Sequence, residues 1–174
     1  MANKQALREL QTRLAERLAA ARTQEQRTAW LAIESAGYGF LLPLAQAGEI
    51  FPMAPIVSVA HTQPWFLGVA NLRGGLAGVV DLARFLGLKS GAPEPLREPP
   101  RLIVLNPSLE LNCALMVDRL AGLRNEDQLV AEAADDGPRP VFVGARFRDN
   151  AGRSWQELNL AALAADEAFL KIVG

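Results

Sequence analysis

The chain has 174 residues, enough for one ordinary domain or two small ones sharing a core. Eighteen Lys and Arg against 19 Asp and Glu leave a net charge of −1, without the basic excess of a nucleic-acid binder, and a half-hydrophobic composition excludes global disorder. One Cys and one His exclude a disulfide framework and a Cys/His metal cluster, so any histidine-based triad would rest on His61 alone.

Residues 1–27 read as a helical arm. Leu7, Leu10, Leu14, Leu18 and Ala21 fall on one stripe of a helix over Gln5 to Thr23. Residues 1–30 hold six basic and three acidic residues, a net of +3, which is either a solvated polar face or a docking face. The start is polar with no apolar leader, so a cytoplasmic protein is expected. From Trp30 the pattern shortens. Trp30 to Ser35 and Tyr38 to Leu42 flank Ala36-Gly37 as a hairpin. Glu49 to Met53 and Ile56 to Ala60 are further strand candidates, followed by Pro64 to Leu72, a turn at Gly74-Gly75, and Leu76 to Val80. Asp81 is placed to cap a short helix over Leu82 to Leu86 that Gly87 ends.

Residues 89–100 carry Pro93, Pro95, Pro99 and Pro100, a density that sustains neither helix nor sheet, and mark the best boundary. Residues 28–88 then form a first half and residues 101–170 a second. In the second half, Arg101 to Leu105 and Leu111 to Val117 read as strands. Leu111, Cys113, Leu115 and Val117 alternate onto one face, making Cys113 a small core hydrophobe. Arg124 to Asp136 is acidic, at −4. Val141, Val143, Ala145 and Phe147 alternate, Asp149 to Gly152 turns, Arg153 to Leu158 returns, and a final helix covers Leu160 to Leu170. Asp81-Leu82-Ala83-Arg84-Phe85 is echoed by Asn159-Leu160-Ala161-Ala162-Leu163, 78 residues on, and the proline segment lies between the copies. Many short strands with Gly and Pro turns point to small barrels.

The search for chemistry is mostly negative. No Gly-rich loop runs into Lys and Ser/Thr; Gly74, Gly75 and Gly78 sit between strands as turn residues. His61 follows a strand with no acid partner nearby in sequence. Ile50 to Leu72 is a 23-residue stretch without a formal charge, but Pro52, Pro55, Pro64 and Asn71 make it a folded interior rather than a bilayer span. It is closed by Glu49 on one side and Arg73 on the other. These either pair across strands or are two unrelated surface charges.

Tyr38-Gly39-Phe40, Gly48-Glu49-Ile50, the run Pro64-Trp65-Phe66-Leu67-Gly68-Val69-Ala70-Asn71-Leu72-Arg73-Gly74, and Val79-Val80-Asp81-Leu82 closely resemble the CheW-like family, the coupling proteins of bacterial chemosensory arrays. The resemblance covers about residues 28 to 170. The leucine arm and the ending Trp155 to Ile172 resemble its PilI-like branch, which serves type IV pilus twitching motility. The resemblance implies a mostly β fold: two SH3-like five-stranded β-barrel subdomains packed together, with an N-terminal helix and short helices closing each half. It implies no catalysis, no metal and no cofactor. The expected role is an adaptor, held at membrane-bound receptor arrays without inserting in the membrane. It would bridge the regulatory domain of a chemotaxis-type histidine kinase to the cytoplasmic tip of a methyl-accepting receptor. By the resemblance, partner contacts include Ala47, Ile50, Leu72 and Leu123, with Glu49, Asn71 and Arg73 beside them, in a groove between the barrels. Where the family has a larger apolar residue this chain has Ala47, and Gly78 and Cys113-Ala114 are further departures that bear on partner preference. Two other readings follow from the residues: a modulator that competes with a coupling protein, and a small-ligand-binding barrel using a cleft around His61 and Asp81.

Overall fold

The computed structural model describes residue 5 and residues 9–17, 29–89 and 95–174. Within the arm, residues 9–17 form helix α1, with Leu10 and Leu14 exposed; Leu7, Leu18 and Ala21 of the expected stripe lie outside the described residues. The body begins with β1 (Ala29–Ser35), β2 (Tyr38–Pro43), β3 (Ala47–Pro52), β4 (Ile56–Val57), β5 (Phe66–Leu72) and β6 (Gly75–Asp81), closed by α2 (Leu82–Phe85). It continues with β7 (Arg101–Leu105), β8 (Cys113–Val117), β9 (Arg119–Asn125), β10 (Leu129–Ala131), β11 (Val143–Asp149) and β12 (Ser154–Leu158), then α3 (Leu160–Ala164) and α4 (Glu167–Leu170).

The strands form two sheets, ordered β10-β11-β12-β2-β1-β9 and β3-β7-β8-β6-β5-β4. Each has six strands rather than the expected five, counting the short edge strands β4 and β10. In both sheets the strand order crosses the proline segment. Hairpin β1–β2 joins the sheet of the second half, and hairpin β7–β8 joins that of the first. The internal repeat is real, but its copies have exchanged hairpins. Reading the second sheet backwards gives the two a corresponding strand order, with β6 running parallel to β8 where β12 runs parallel to β2.

The physical reason lies in the central strands, which bury both faces. Along β1, Leu31 and Ile33 face one way and Trp30 and Ala32 the other; along β7, Ile103 and Leu105 oppose Leu102. Leu31, Ile33, Phe40, Leu42, Ile103, Leu105, Cys113, Leu115 and Val117 form a core shared by both sheets. Each sheet keeps a second, private core: Trp30, Leu41, Leu129 and Trp155 in one, Ala70, Leu72, Val79, Leu102 and Ala114 in the other. A two-sided burial pattern reads in sequence as a continuous apolar run, as in Leu102-Ile103-Val104-Leu105. The short helices plug the shared core with Leu82, Leu160, Leu163 and Phe169. Asp81 accepts from Arg84 N (3.1 Å) and Asn159 from Ala162 N (2.9 Å), so the two echoed segments are capped alike.

Other expectations shift locally. The final helix divides in two because Asp166 turns the chain and caps α4 through Phe169 N (3.0 Å). Strand β4 ends at Val57 rather than Ala60, and β8 starts at Cys113 rather than Leu111. Before β11 the alternation breaks: Phe142 is buried and Val141 is exposed.

Candidate docking grooves

Strand β5 turns into β6 through Arg73 and Gly74, both with left-handed backbone (φ 54° and 83°), while Leu72 pairs with Gly75. This two-residue loop matches the twist of its strands. Asn71 Oδ1 accepts from Gly74 N (2.8 Å) and locks it. Asn71-Leu72-Arg73-Gly74 is therefore a turn-forming sequence whose third residue, Arg73, is thrown outward. Glycine or asparagine would hold Arg73's backbone at lower cost; a left-handed arginine carries strain of order 1 kcal/mol.

Glu49 meets Arg73 from β3. Between Ala47, opposite Leu105, and Ile50, opposite Ile103, β3 carries one extra residue, a bulge at Gly48-Glu49. A Cβ on Gly48 would lie 2.8 Å from Val104 O, so only glycine fits there. The bulge turns Glu49 and Phe51 to the surface, where the Arg73 guanidinium pairs with Glu49 and lies 5.5 Å from the Phe51 ring centre. The pair is exposed, at 75% for Arg73 and 46% for Glu49, so its contribution to folding is small. Beside it opens a groove of about 490 Å³ lined by Phe51, Leu72, Leu76, Val104, Pro107 and Asn112 among others.

The expected partner-binding residues divide in three. Glu49, Leu72 and Arg73 line the groove, and Asn71 shapes its turn. Ala47 is buried in the shared core, so its small size does not set the groove's depth. Ile50 and Leu123 lie outside the lining, one on each sheet, at 39% and 57% exposure. They are equivalents under the repeat: Ile50 pairs with Ile103 just past the β3 bulge, and Leu123 pairs with Leu31 just past a matching bulge in β9. Sequence reasoning missed Phe51, although its spacing of two from Glu49 on a strand places both on one face. It also missed Pro107 and Asn112, which reach the groove only through the β7–β8 connection.

Residues of the ligand-barrel reading are used otherwise. His61 is exposed with left-handed φ (57°), and its carbonyl accepts from Gly174 N (3.1 Å). The buried Asp81 carboxylate is taken up by Arg84. Cys113 is buried, and desolvation pushes its thiol up to about 12, so it packs as a hydrophobe. Among the described residues no group of three His, Cys, Asp or Glu is placed to hold a metal.

Two six-stranded sheets around one shared core, each with an exposed groove on it, define a small β scaffold. The chain belongs to the CheW-like domain family, whose model matches residues 30–168. It is 29% identical over 167 residues to Protein PilI of Pseudomonas aeruginosa, covering 92% of this chain and 88% of that one, in keeping with the PilI-like branch. Over 54 residues it is 35% identical to a probable chemotaxis protein CheW of Rhizobium etli, covering 31% of this chain and 35% of that one. Its fold matches the scaffolding protein TtCheW of Thermoanaerobacter tengcongensis (TM-score 0.62, 17% identity, 76% of this chain and 89% of that one).

Proposed function

We propose that this chain is a non-catalytic adaptor of a chemosensory pathway. It couples the regulatory domain of a chemotaxis-type histidine kinase to the cytoplasmic tip of a methyl-accepting receptor and, in line with its PilI-like character, serves control of twitching motility. Its place is in the cytoplasm at receptor arrays; among the described residues no helix is long and apolar enough to cross a membrane. The observation that supports this reading most is Arg73. A charged residue sits in a backbone conformation suited to glycine, and pairs in the open with Glu49 over an apolar groove. Such an arrangement adds little to folding and presents both charges to a partner. The receptor tip is assigned to this groove. An adaptor then works by mass action: holding two proteins on one stiff body raises their effective concentration and passes a conformational bias between them.

The test is assembly. The purified chain, a kinase regulatory domain and a receptor-tip fragment are mixed and sedimented in pairs and together. The adaptor reading expects each pair to form, and a ternary complex heavier than either. Mutual exclusion of the two partners would establish a competing modulator instead, and no binding to either would end the reading.

A further inference from the structure

The arm offers a face that the body leaves open. In α1 every residue from 9 to 17 is exposed, and Leu10 and Leu14 stand one turn apart on one face, at 57% and 52% exposure. At about 100° per residue, Arg13 and Arg17 run along one flank of that face, while Glu9 and Glu16 fall toward the far side. The same period, carried through the sequence beyond α1, sets Leu7 and Leu18 on the leucine face and Arg22 on its other flank. Residues 1–30 carry +3 where the whole chain carries −1, so the arm and the body have opposite charge.

These features narrow what can cover the face. The body does not, since α1 stands exposed along its length. Two arms side by side would bring like charges together, because between Gln5 and Thr23 no carboxylate lies beside the leucines to answer an arginine. A protein groove is read through bulky, shaped anchors, and residues 1–27 contain no Phe, Trp, Tyr, Val or Ile. What remains is a stripe of leucine between arginines: apolar area without a particular shape, bordered by cations whose long stems can lie along it. A lipid surface asks for that combination. Leucines enter the acyl boundary, arginines meet anionic headgroups, and the carboxylates of the far side face water.

We infer that α1 is a membrane-surface helix, lying in the plane of an anionic bilayer with Leu10 and Leu14 inward and Arg13 and Arg17 at the phosphates. It lies on the surface and does not cross, as no described helix is long and apolar enough to do so. The same surface repels the acidic body, which stands off with the Glu49–Arg73 groove open. The inference goes beyond the adaptor reading and does not rest on it, because lipid alone is the ligand.

The test is co-sedimentation of the full chain with phosphatidylcholine vesicles, with and without phosphatidylglycerol. The wild-type chain should partition onto the anionic vesicles about tenfold or more better than onto the neutral ones, and raised salt should release it. Arg13→Gln with Arg17→Gln removes two cations, each worth about fivefold near such a surface, and should lower partitioning onto anionic vesicles about tenfold or more. Leu10→Gln with Leu14→Gln leaves the charge unchanged and should lower it by about tenfold as well. Fluorescence of Trp30, Trp65 and Trp155, all in the body, should keep its wild-type value in both variants, which separates loss of the arm's function from loss of the fold. Absence of sedimentation with anionic vesicles overturns the inference, as does equal sedimentation with neutral ones or binding that neither variant lowers. Wild-type protein that stays off both kinds of vesicle, while the arginine variant weakens its complex with a receptor-tip fragment, overturns it likewise and assigns the arm to an acidic protein.

Discussion

The two sheets follow one plan but spend their charges differently. In the sheet of β1, β2 and β9–β12, charged groups stitch strands together. Glu34 receives Arg119 through two bonds (2.6 and 3.0 Å) and also pairs with Arg153, while Arg153 and Arg124 lie over the Trp155 ring at 4.6 and 5.5 Å. In the sheet of β3–β8, the stretch from Ile50 to Leu72 has no charge, and the Glu49–Arg73 pair stands exposed at its ends. The private cores differ in the same sense: Trp155 fills a place that Ala77 takes in the other sheet. One sheet is locked by its polar groups; the other keeps a lighter interior and turns its ion pair outward. Where charge is fixed between elements it specifies the fold, and where it is left open it is available for recognition.

Removing the lock should have the largest effect. Trp155→Ala empties a fully buried site and is expected to cost roughly 3–5 kcal/mol in urea unfolding. Gly48→Ala should follow, at roughly 1–3 kcal/mol, because its Cβ meets two backbone carbonyls that cannot yield cheaply. The same variant re-aims Glu49, so receptor-tip affinity should fall further than the stability loss alone explains; an affinity at the wild-type value would separate the bulge from the site.

The contrast also has a pH signature. The hydrogen bond from Arg119 is the main cause holding the Glu34 carboxyl below its ordinary value of 4.5, with Arg153 adding to it against the opposing effect of burial. Asp149 is lowered likewise, first by the Trp155 indole N–H and then by the backbone N–H groups of Arg153 and Ala151. Carboxylates lowered on folding stabilise the native state in full above their unfolded values, and that contribution is lost as pH falls through the folded ones. The urea midpoint should therefore drop between about pH 5 and pH 3, and Glu34→Gln should flatten that slope. An unchanged slope would mean the network is ornamental to stability. The smallest expected stability effect is Arg73→Glu, under about 1 kcal/mol, as befits an exposed pair.

Much of this was legible in the sequence. Turn chemistry marked Ala36-Gly37 and, one residue late at Gly74-Gly75, the loop at Arg73-Gly74, and the caps at Asp81 and Asn159 exposed the repeat, because each is dictated by neighbours along the chain. The hairpin exchange was not legible: Leu31 and Ile33 seek a buried face, and nothing local says which sheet provides it. Strand β9 also escaped notice, since its Arg119, Arg124 and exposed Leu123 break the alternation that the edge position allows. Glu49 and Arg73 were legible as residues and as ends of an uncharged run, but their meeting depends on a bulge that only the Gly48 contact reveals.

The central claim is that the Glu49–Arg73 groove recognises a partner rather than holding the fold. It is tested most directly by calorimetric titration of a receptor-tip fragment into wild-type and Arg73→Glu protein whose urea midpoints have been matched. The account predicts affinity weaker by about tenfold or more at equal stability. Equal affinity, or a loss of binding that merely tracks unfolding, would contradict it.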